Sequence, residues 1–254
     1  MSPNTTRLAG HTALVTGSTG GLGAAFATAL AEQGAFVIVT GRDAARGRGI
    51  VDQLESSGGS AAFVAADLGA GAAQVRRLAD EATAAAGGRI DILVNNAAML
   101  ITPTPTPEVP EQLVQDALAV NVTAPFLLTG VIAPAMAERG AGSIINIGSI
   151  NGLIGMAGSA LYSATKAAIH SLTKSWADEY SPRGVRVNTV APGPSMTERN
   201  AEFADYLAPL LARVPSRRAS TLSEVAAAVV FLASDDAANI TGATLSVDGG
   251  WSAV

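Results

Sequence analysis

The sequence predicts an α/β fold: a doubly wound parallel sheet of about seven strands, covered by helices on both faces, in a single domain. Two observations predict it. Short β-branched runs alternate with Ala- and Leu-rich segments from one end of the chain to the other. The runs are apolar on both faces rather than at every second position, as strands buried on both sides must be. A length of 254 residues suits one large domain, and no linker divides it.

The expected strands are Thr12–Thr16, Phe36–Thr40, Ala61–Ala65, Ile90–Val94, Ser143–Ile147, Val185–Val190 and Thr244–Val247. The expected helices are Gly21–Gln33, Ala44–Ser56, Ala72–Ala86, Pro110–Glu138, Ala160–Tyr180 and Ser223–Ala233. Prolines 103, 105, 107 and 110 force an extended entry into the fourth helix. Ser195–Ser220 breaks the rhythm and delays the next helix. It is either a flap over a site or an ordinary long loop. Thr221 and Glu224 have the spacing of a capping box that starts the last helix. The order of elements is that of a Rossmann-type, three-layer αβα sandwich.

Composition excludes several functions. Charged residues are 15%, below the ~25% of typical soluble domains. So little charged surface favours an oligomer, because subunit contacts remove surface from water. Sixteen basic and 21 acidic residues give a net charge of −5, which argues against nucleic-acid binding. Cysteine is absent, so disulfides, thiol nucleophiles and cysteine-ligated zinc are excluded. Two histidines, His11 and His170, leave no His-rich metal centre, and no G-x-S-x-G elbow occurs. Met1–Gly10 lacks the apolar core of an export signal. The uncharged stretches Ala117–Ala137 and Gly140–Thr165 are interrupted by polar residues and prolines or glycines, so neither is expected to span a membrane. A cytoplasmic location is expected.

The first strand runs into Thr16-Gly17-Ser18-Thr19-Gly20-Gly21-Leu22-Gly23, within which a helix opens. Glycines there let the backbone approach a pyrophosphate, and the helix N-terminus offers it N–H donors. No lysine follows, so this is not a nucleoside-triphosphate loop. The second strand ends in Gly41-Arg42-Asp43, where an adenosine ribose would sit. Gly41 leaves room for a 2′-phosphate and Arg42 can pair with it, which favours NADP(H) over NAD(H). Asp43 points the other way unless it caps the next helix. Asp67, beside Leu68, either accepts from an adenine amino group or caps a turn; the turn is the commoner role.

Tyr162 and Lys166 lie four apart on a predicted helix, so both project from one face. They close a charge-free stretch. At ~6 Å and an effective dielectric of ~20, an ammonium acts on a phenolate by roughly 3 kcal/mol. That predicts a tyrosine drawn toward neutral pH, fit for acid/base work. Ser149, at the end of the fifth strand, could bind an oxygen that gains charge; the alternative is a turn serine. Asn121 is polar among apolar neighbours. It binds backbone or water behind Lys166, or pins a helix bend near Pro125. His170, two turns beyond Tyr162, is too distant to share a substrate atom and is expected to pack or meet a neighbouring subunit. His11 is expected to be exposed.

In combination these residues resemble the short-chain dehydrogenase/reductase family, in its short single-domain branch, over about Gly10–Gly250. The resemblance rests on the glycine turn at 16–23, Asp67, Asn95-Asn96-Ala97, Asn121, Ser149, Tyr162 with Lys166, and Pro192-Gly193 with Thr197. It implies hydride transfer between a nicotinamide and a carbonyl or secondary alcohol, with Tyr162 as general acid/base. Ser149 would hold the reacting oxygen. Lys166 would bind the nicotinamide ribose and lower the tyrosine pKa. Asn121 would hold a water joining Lys166 to solvent. Gly17, Ser18, Thr19, Gly21, Leu22, Gly23, Arg42, Asp67, Leu68, Asn95 and Ala97 would line the cofactor groove. Pro192, Gly193, Ser195 and Thr197 would bracket the nicotinamide amide. A homotetramer is implied, with the fourth and fifth major helices and the C-terminal strand at its interfaces.

Two features depart from the family pattern: Ala98 stands where glycine is usual, and Ser216–Ser220 replaces a run richer in glycine. The expected substrate is a small carbonyl compound or alcohol. Met99, Asn151, Leu153, Met156 and the segment Met196–Leu211 would shape an apolar-leaning pocket. A carrier-borne 3-oxoacyl thioester would want a basic rim, and Arg139 and Arg183 are diluted by Glu138 and Glu179. The alternatives are an NAD-dependent sugar or polyol dehydrogenase, and a dinucleotide-binding protein without turnover.

Overall fold

A computed structural model describes residues 6–196 and 209–254. Seven parallel strands form one sheet in the order β3-β2-β1-β4-β5-β6-β7. They are β1 (Thr12–Val15), β2 (Phe36–Gly41), β3 (Ser60–Ala65), β4 (Ile92–Asn95), β5 (Gly142–Ile147), β6 (Val185–Pro192) and β7 (Thr244–Val247). The major helices among the described residues are α1 (Gly21–Glu32), α2 (Ala44–Ser56), α3 (Ala72–Ala85), α4 (Glu111–Leu118), α5 (Ala124–Arg139), α6 (Ala160–Tyr180) and α7 (Leu222–Ala233). All seven expected strands are present, with ends shifted by at most two residues.

The alternation of side chains along each strand divides the interior into two cores. Val15, Val37, Val39, Val94 and Ile145 face Phe26 and Leu30 of α1 and Val225 and Val229 of α7. Leu14, Ile38, Leu93, Ile144 and Val187 face Leu78 of α3, Leu128 and Met136 of α5 and Trp176 of α6. Each fully buried Leu or Ile contributes about 1.5–3 kcal/mol relative to exposure. Because both faces are filled, strand register is fixed, and the carboxyl ends of β1, β4, β5 and β6 reach the rim together.

The expected fourth helix is interrupted. Between α4 and α5 the chain makes a π-helical turn, Ala119–Thr123, so the run continues from Glu111 to Arg139 with one wide turn. This run is long and apolar enough to cross a membrane, which differs from the broken stretch the sequence suggested. In the fold it is a core helix: Leu128, Ala133 and Met136 are fully buried. Its polar residues are bonded internally, Thr129 accepting from the Asn95 amide at 3.1 Å.

Polar side chains also form a buried row beneath the rim. Asn95, Asn146, Thr189 and Thr244 are register partners across β4, β5, β6 and β7. The Asn95 amide donates to Asn146 at 2.9 Å, Asn146 donates to Thr173 of α6 at 2.8 Å, and Thr173 shares a 2.7 Å bond with Thr189. The ends of the segment after β6 are pinned by a parallel bridge between Ser195 and Ser220, and Thr221 and Glu224 form the expected capping box. The middle of the expected flap lies outside the described residues. His11 is half-buried rather than exposed, because it lies against the start of β2, and its Nδ1 is buried without a hydrogen-bond partner.

Candidate active site

A cavity of about 760 Å³ opens along the carboxyl ends of the strands, where the sheet order changes direction at β1 and β4. The turn after β1 forms one wall through Gly17, Thr19, Gly20, Gly21, Leu22 and Gly23. Close packing dictates two of these glycines. A Cβ on Gly23 would lie 2.2 Å from the Gly17 carbonyl, and one on Gly17 would lie 2.9 Å from Ala97 Cα. Gly20 and Gly21 instead face open space. No side chain caps the N-terminus of α1, so its first N–H groups are left for an anion.

Ser18 does not belong to this wall. Its hydroxyl donates to the Val15 carbonyl at 2.7 Å and accepts from the Thr40 amide at 3.0 Å, tying β1 to β2. Asn95 is a second correction. Its amide points down into the polar row, whereas its neighbour Asn96 lines the cavity and donates to the carbonyls of Thr16 and Gly17. Ala97, Ala98 and Met99 continue the lining. Asn96 was within the quoted motif, but which asparagine faces the groove depends on bonds made across eighty positions of sequence.

At the end of β2, Arg42 and Arg46 line the cavity. Asp43 caps α2, accepting from the amides of Ala45 and Arg46 at 2.9 and 3.0 Å. The Arg46 amide foremost, and Ala45 with it, outweigh the cost of burial and hold the Asp43 carboxyl below the usual range. Arg46 was not anticipated; its signal was its place one turn beyond Arg42. Asp67 and Leu68 also line the cavity, with Asp67 capping its own short turn at Gly69 (3.0 Å).

The reactive end is built by β5, β6 and α6. Ser149, Tyr162 and Lys166 line the cavity together with Pro192, Gly193 and Ser195. Thr197 lies outside the described residues. The Lys166 ammonium donates to the Ile147 carbonyl at 2.8 Å and sits 5.7 Å from the Tyr162 ring centre. The Ser149 hydroxyl hydrogen-bonds the Tyr162 phenol and accepts from the Asn151 amide at 3.1 Å. Asn121, carried by the π turn, clamps Met99: its oxygen accepts from the Met99 amide at 2.7 Å, and its nitrogen donates to the Met99 carbonyl at 3.1 Å. That nitrogen also reaches Thr165 of α6 at 3.2 Å. The reading in which Asn121 binds backbone therefore holds, and the amide faces loop and helix rather than Lys166.

The electrostatics differ from the expectation. Burial pushes the Tyr162 phenol up to about 12, with the Ser149 hydrogen bond acting the other way. Burial also pulls Lys166 down to about 8. The pairwise argument counted the attraction of the ammonium and omitted the cost of desolvating both partners. Although Tyr162 keeps one edge in the cleft, its hydroxyl end is deep enough for that cost to win.

The residues present fit a nicotinamide dinucleotide. Lys166 is 4% exposed, and only one of its three ammonium protons has an acceptor among the described residues. That leaves donors aimed at the space a ribose would occupy. The uncapped α1 terminus and the open glycines suit a pyrophosphate, and the two arginines suit the far ribose.

The family profile described as "Enoyl-(Acyl carrier protein) reductase" matches residues 17–252. The chain is 39% identical to the 2,5-dichloro-2,5-cyclohexadiene-1,4-diol dehydrogenase of Sphingobium indicum, over 97% of this chain and 98% of that one. It is 40% identical to the 3-oxoacyl-acyl-carrier-protein reductase of Vibrio cholerae, over 96% and 98%. A solved gluconate 5-dehydrogenase from Burkholderia cenocepacia, in complex with NADP and tartrate, superposes with a TM-score of 0.92 at 33% identity, covering 99% and 98%. The chain belongs to the short-chain dehydrogenase/reductase family. It is accordingly an oxidoreductase of alcohol and carbonyl groups that uses a nicotinamide dinucleotide.

Lys166 and Lys174 are the two lysines of the chain, so nitrogen NMR of lysine-labelled protein isolates the first. In the ligand-free protein the Lys166 signal is expected to titrate with a midpoint near 8, charged below and neutral above. A midpoint at the ordinary lysine value of ~10.4 would show that the ammonium is not desolvated.

Proposed function

We propose that this dehydrogenase/reductase transfers hydride between NADP(H) and an uncharged ketone or secondary alcohol, with Tyr162 as the proton donor and acceptor. The observation that carries the reading is the hydroxyl pair of Tyr162 and Ser149, set beside the buried Lys166 at one end of the cavity. When bound, the nicotinamide supplies or accepts the hydride. The chain does the rest. A phenol near 12 is fully protonated at neutral pH, so it stands ready to donate to a carbonyl oxygen as that oxygen gains charge. Ser149 holds the same oxygen. The Lys166 ammonium holds ribose hydroxyls and lowers the energy of the phenolate left behind. Asn121 fixes the Met99 loop over the site.

The support for NADP(H) lies at the tip of β2. The Asp43 carboxylate is engaged by the α2 amides and by the Arg46 guanidinium at 3.6 Å, and Arg42 and Arg46 both line the cavity wall. The solved relative that holds NADP agrees with this preference. The support for an uncharged substrate is the rim. Leu100, Leu153 and Met196 are exposed large apolar side chains on the loops that follow β4, β5 and β6. Ile150, Met156, Val214 and Trp251 form an apolar cluster beside Ser149. A carrier-borne substrate fits less well. Arg139 donates to the Ile90 carbonyl at 2.7 Å and Arg183 stacks on Tyr180 at 5.2 Å, so neither frames the cleft.

Leu118, Phe126 and Val131 are exposed on the α4–α5 run, with Phe126 6.0 Å from the Trp176 ring of α6. This apolar face, with the low charge content, supports a homotetramer built on the two long helices.

The reading is tested on a panel of cyclic ketones, sugar ketones and acetoacetyl thioesters with both cofactors. Tyr162→Phe is expected to keep NADPH binding, read by fluorescence, and to lose reduction of every panel substrate by about 10³-fold or more; surviving turnover would remove tyrosine from the role. Arg42→Ala is expected to weaken NADPH by about tenfold or more, a 1.4 kcal/mol loss, while NADH changes little. Equal losses would contradict the 2′-phosphate assignment. Phe126→Glu is expected to lower the sedimenting mass of the wild-type assembly, and an unchanged mass would locate the contact elsewhere.

A further inference from the structure

His170 lies one turn beyond Lys166 on α6 and is 6% exposed. Its Nε2 is 3.0 Å from the Ser149 carbonyl oxygen, and its Nδ1 is 3.2 Å from the Thr244 hydroxyl of β7. A carbonyl can only accept, so Nε2 carries the proton and Nδ1 accepts from Thr244. The neutral ring thus has both nitrogens engaged. It is also wedged between two glycines. A Cβ on Gly148 would lie 2.7 Å from the ring Cε1, and one on Gly152 would lie 2.6 Å from its Cδ2. The imidazole therefore occupies the side-chain space of both residues that flank the short 148–152 segment.

That segment carries Ser149, whose backbone is extended (φ −169, ψ 155) and whose hydroxyl meets Tyr162. The direction of a serine hydroxyl follows the direction of its Cα–Cβ bond, which follows the two peptides beside it. On its N-terminal side the neighbour is Gly148, whose wider range of ψ leaves the entry to Ser149 less restricted than another residue would. The Ser149 carbonyl accepts from the Gly152 amide at 3.0 Å within the turn and from His170 at 3.0 Å, and the His170 bond ties it to α6 and, through Nδ1, to β7. We propose that His170 is a positioning residue for the hydride-transfer reaction: it fixes the Ser149 carbonyl, and with it the aim of the Ser149 hydroxyl at Tyr162, by bracing the segment against Thr244 of the edge strand. The proposal rests on the roles given above to Ser149 and Tyr162. The same bond extends the polar row beneath the rim, since Thr244 is the register partner of Thr189 and the Thr189 methyl lies 2.7 Å from a Cβ built on Gly148. Burial foremost, and the charges of Lys166 and Lys174, outweigh the Ser149 hydrogen bond and hold the imidazole below its ordinary pKa, which keeps Nδ1 an acceptor.

The test uses full-length protein, NADPH and the fastest substrate of the panel. His170→Gln places an amide N–H near the position of Nε2, His170→Asn places one only near Nδ1, and His170→Leu removes both. Expected is a kcat within about threefold of wild type for Gln, and a fall of about 10–100-fold for Asn and Leu, the range that misplacement of a reacting group by less than 1 Å brings. NADPH affinity and KM stay within about twofold, because the interaction acts on the chemical step alone. A packing role would rank Leu best and Asn worst by fit to an apolar site. A kcat near wild type in Leu or Asn, a Gln variant as slow as Leu, or a loss confined to cofactor binding would each overturn the proposal. Should the Leu variant fail to fold, Thr244→Val keeps the question open to a decision. A severalfold fall in kcat with unchanged NADPH affinity supports the brace, and unchanged kcat refutes it. Turnover surviving in Tyr162→Phe would instead mark failure of the underlying reading, whatever the His170 variants do.

Discussion

An ammonium buried at the end of the central sheet is the constraint around which the site is arranged. Lys166 is 4% exposed and receives one hydrogen bond acceptor, the Ile147 carbonyl. A cation taken from water into such a place is costly unless acceptors surround it. The fold answers in part by ending β5 where a ladder carbonyl is left over, and by seating the lysine on α6 so that it reaches this carbonyl. The remaining protons point to the cavity. A ligand rich in hydroxyl oxygens would supply acceptors to the remaining protons. The same reasoning explains why the phenol is not acidic in the ligand-free protein. The phenol's own desolvation is the larger effect, and the Ser149 bond alone does not make up the difference.

The polar row beneath the rim has a related role. Asn95, Asn146 and Thr189 occupy positions in the sheet that would otherwise be filled by Val or Ile, and Asn146 and Thr189 are fully buried. Each polar atom left unpaired there costs about 1–3 kcal/mol; the Asn95 oxygen has no partner among the described residues, and the bonds of Asn95, Asn146, Thr173 and Thr189 form only with the members in one register. The row therefore locks β4, β5 and β6 together at the level of the chemistry, and α6 to β5 and β6 through Thr173. The catalytic helix is fixed by hydrogen bonds of definite direction, where apolar packing alone would tolerate small rotations. The π turn at Ala119–Thr123 serves the same end from the other side, since widening the helix lets Asn121 reach both Met99 and Thr165.

Most of the architecture was legible because it depends on local pattern. Helices α2 and α6 and strand β7 have the bounds the sequence implied, and the capping box at Thr221 is present as read. What local pattern could not resolve was which side of a turn a polar residue faces. Ser18 and Asn95 were placed in the groove and lie beneath it, while Asn96 and Arg46 line it. Those orientations follow from partners on other strands, such as Thr40 for Ser18 and Asn146 for Asn95, which no window of sequence contains. The sign of the Tyr162 shift escaped for a different reason: a charge pair can be counted from spacing, but desolvation depends on everything packed around it.

Asp43 shows how local bonds bear on the proposed cofactor preference. An acidic residue at the tip of the second strand is the feature that would select an unphosphorylated ribose, and its presence beside Arg42 left the sequence ambiguous. In the structure the carboxylate turns back onto α2, where two amides and the helix N-terminus compensate its charge. Its pKa is held down by the same bonds. The residue that counted against a 2′-phosphate thereby supports the proposal of one. By starting α2 at Ala44 it sets Arg46 one turn in, on the wall beside Arg42. Asp43 also pairs with the Arg46 guanidinium at 3.6 Å and so orients it, while Arg42 and Arg46 both line the cavity, where a phosphate is a group such a pair could hold.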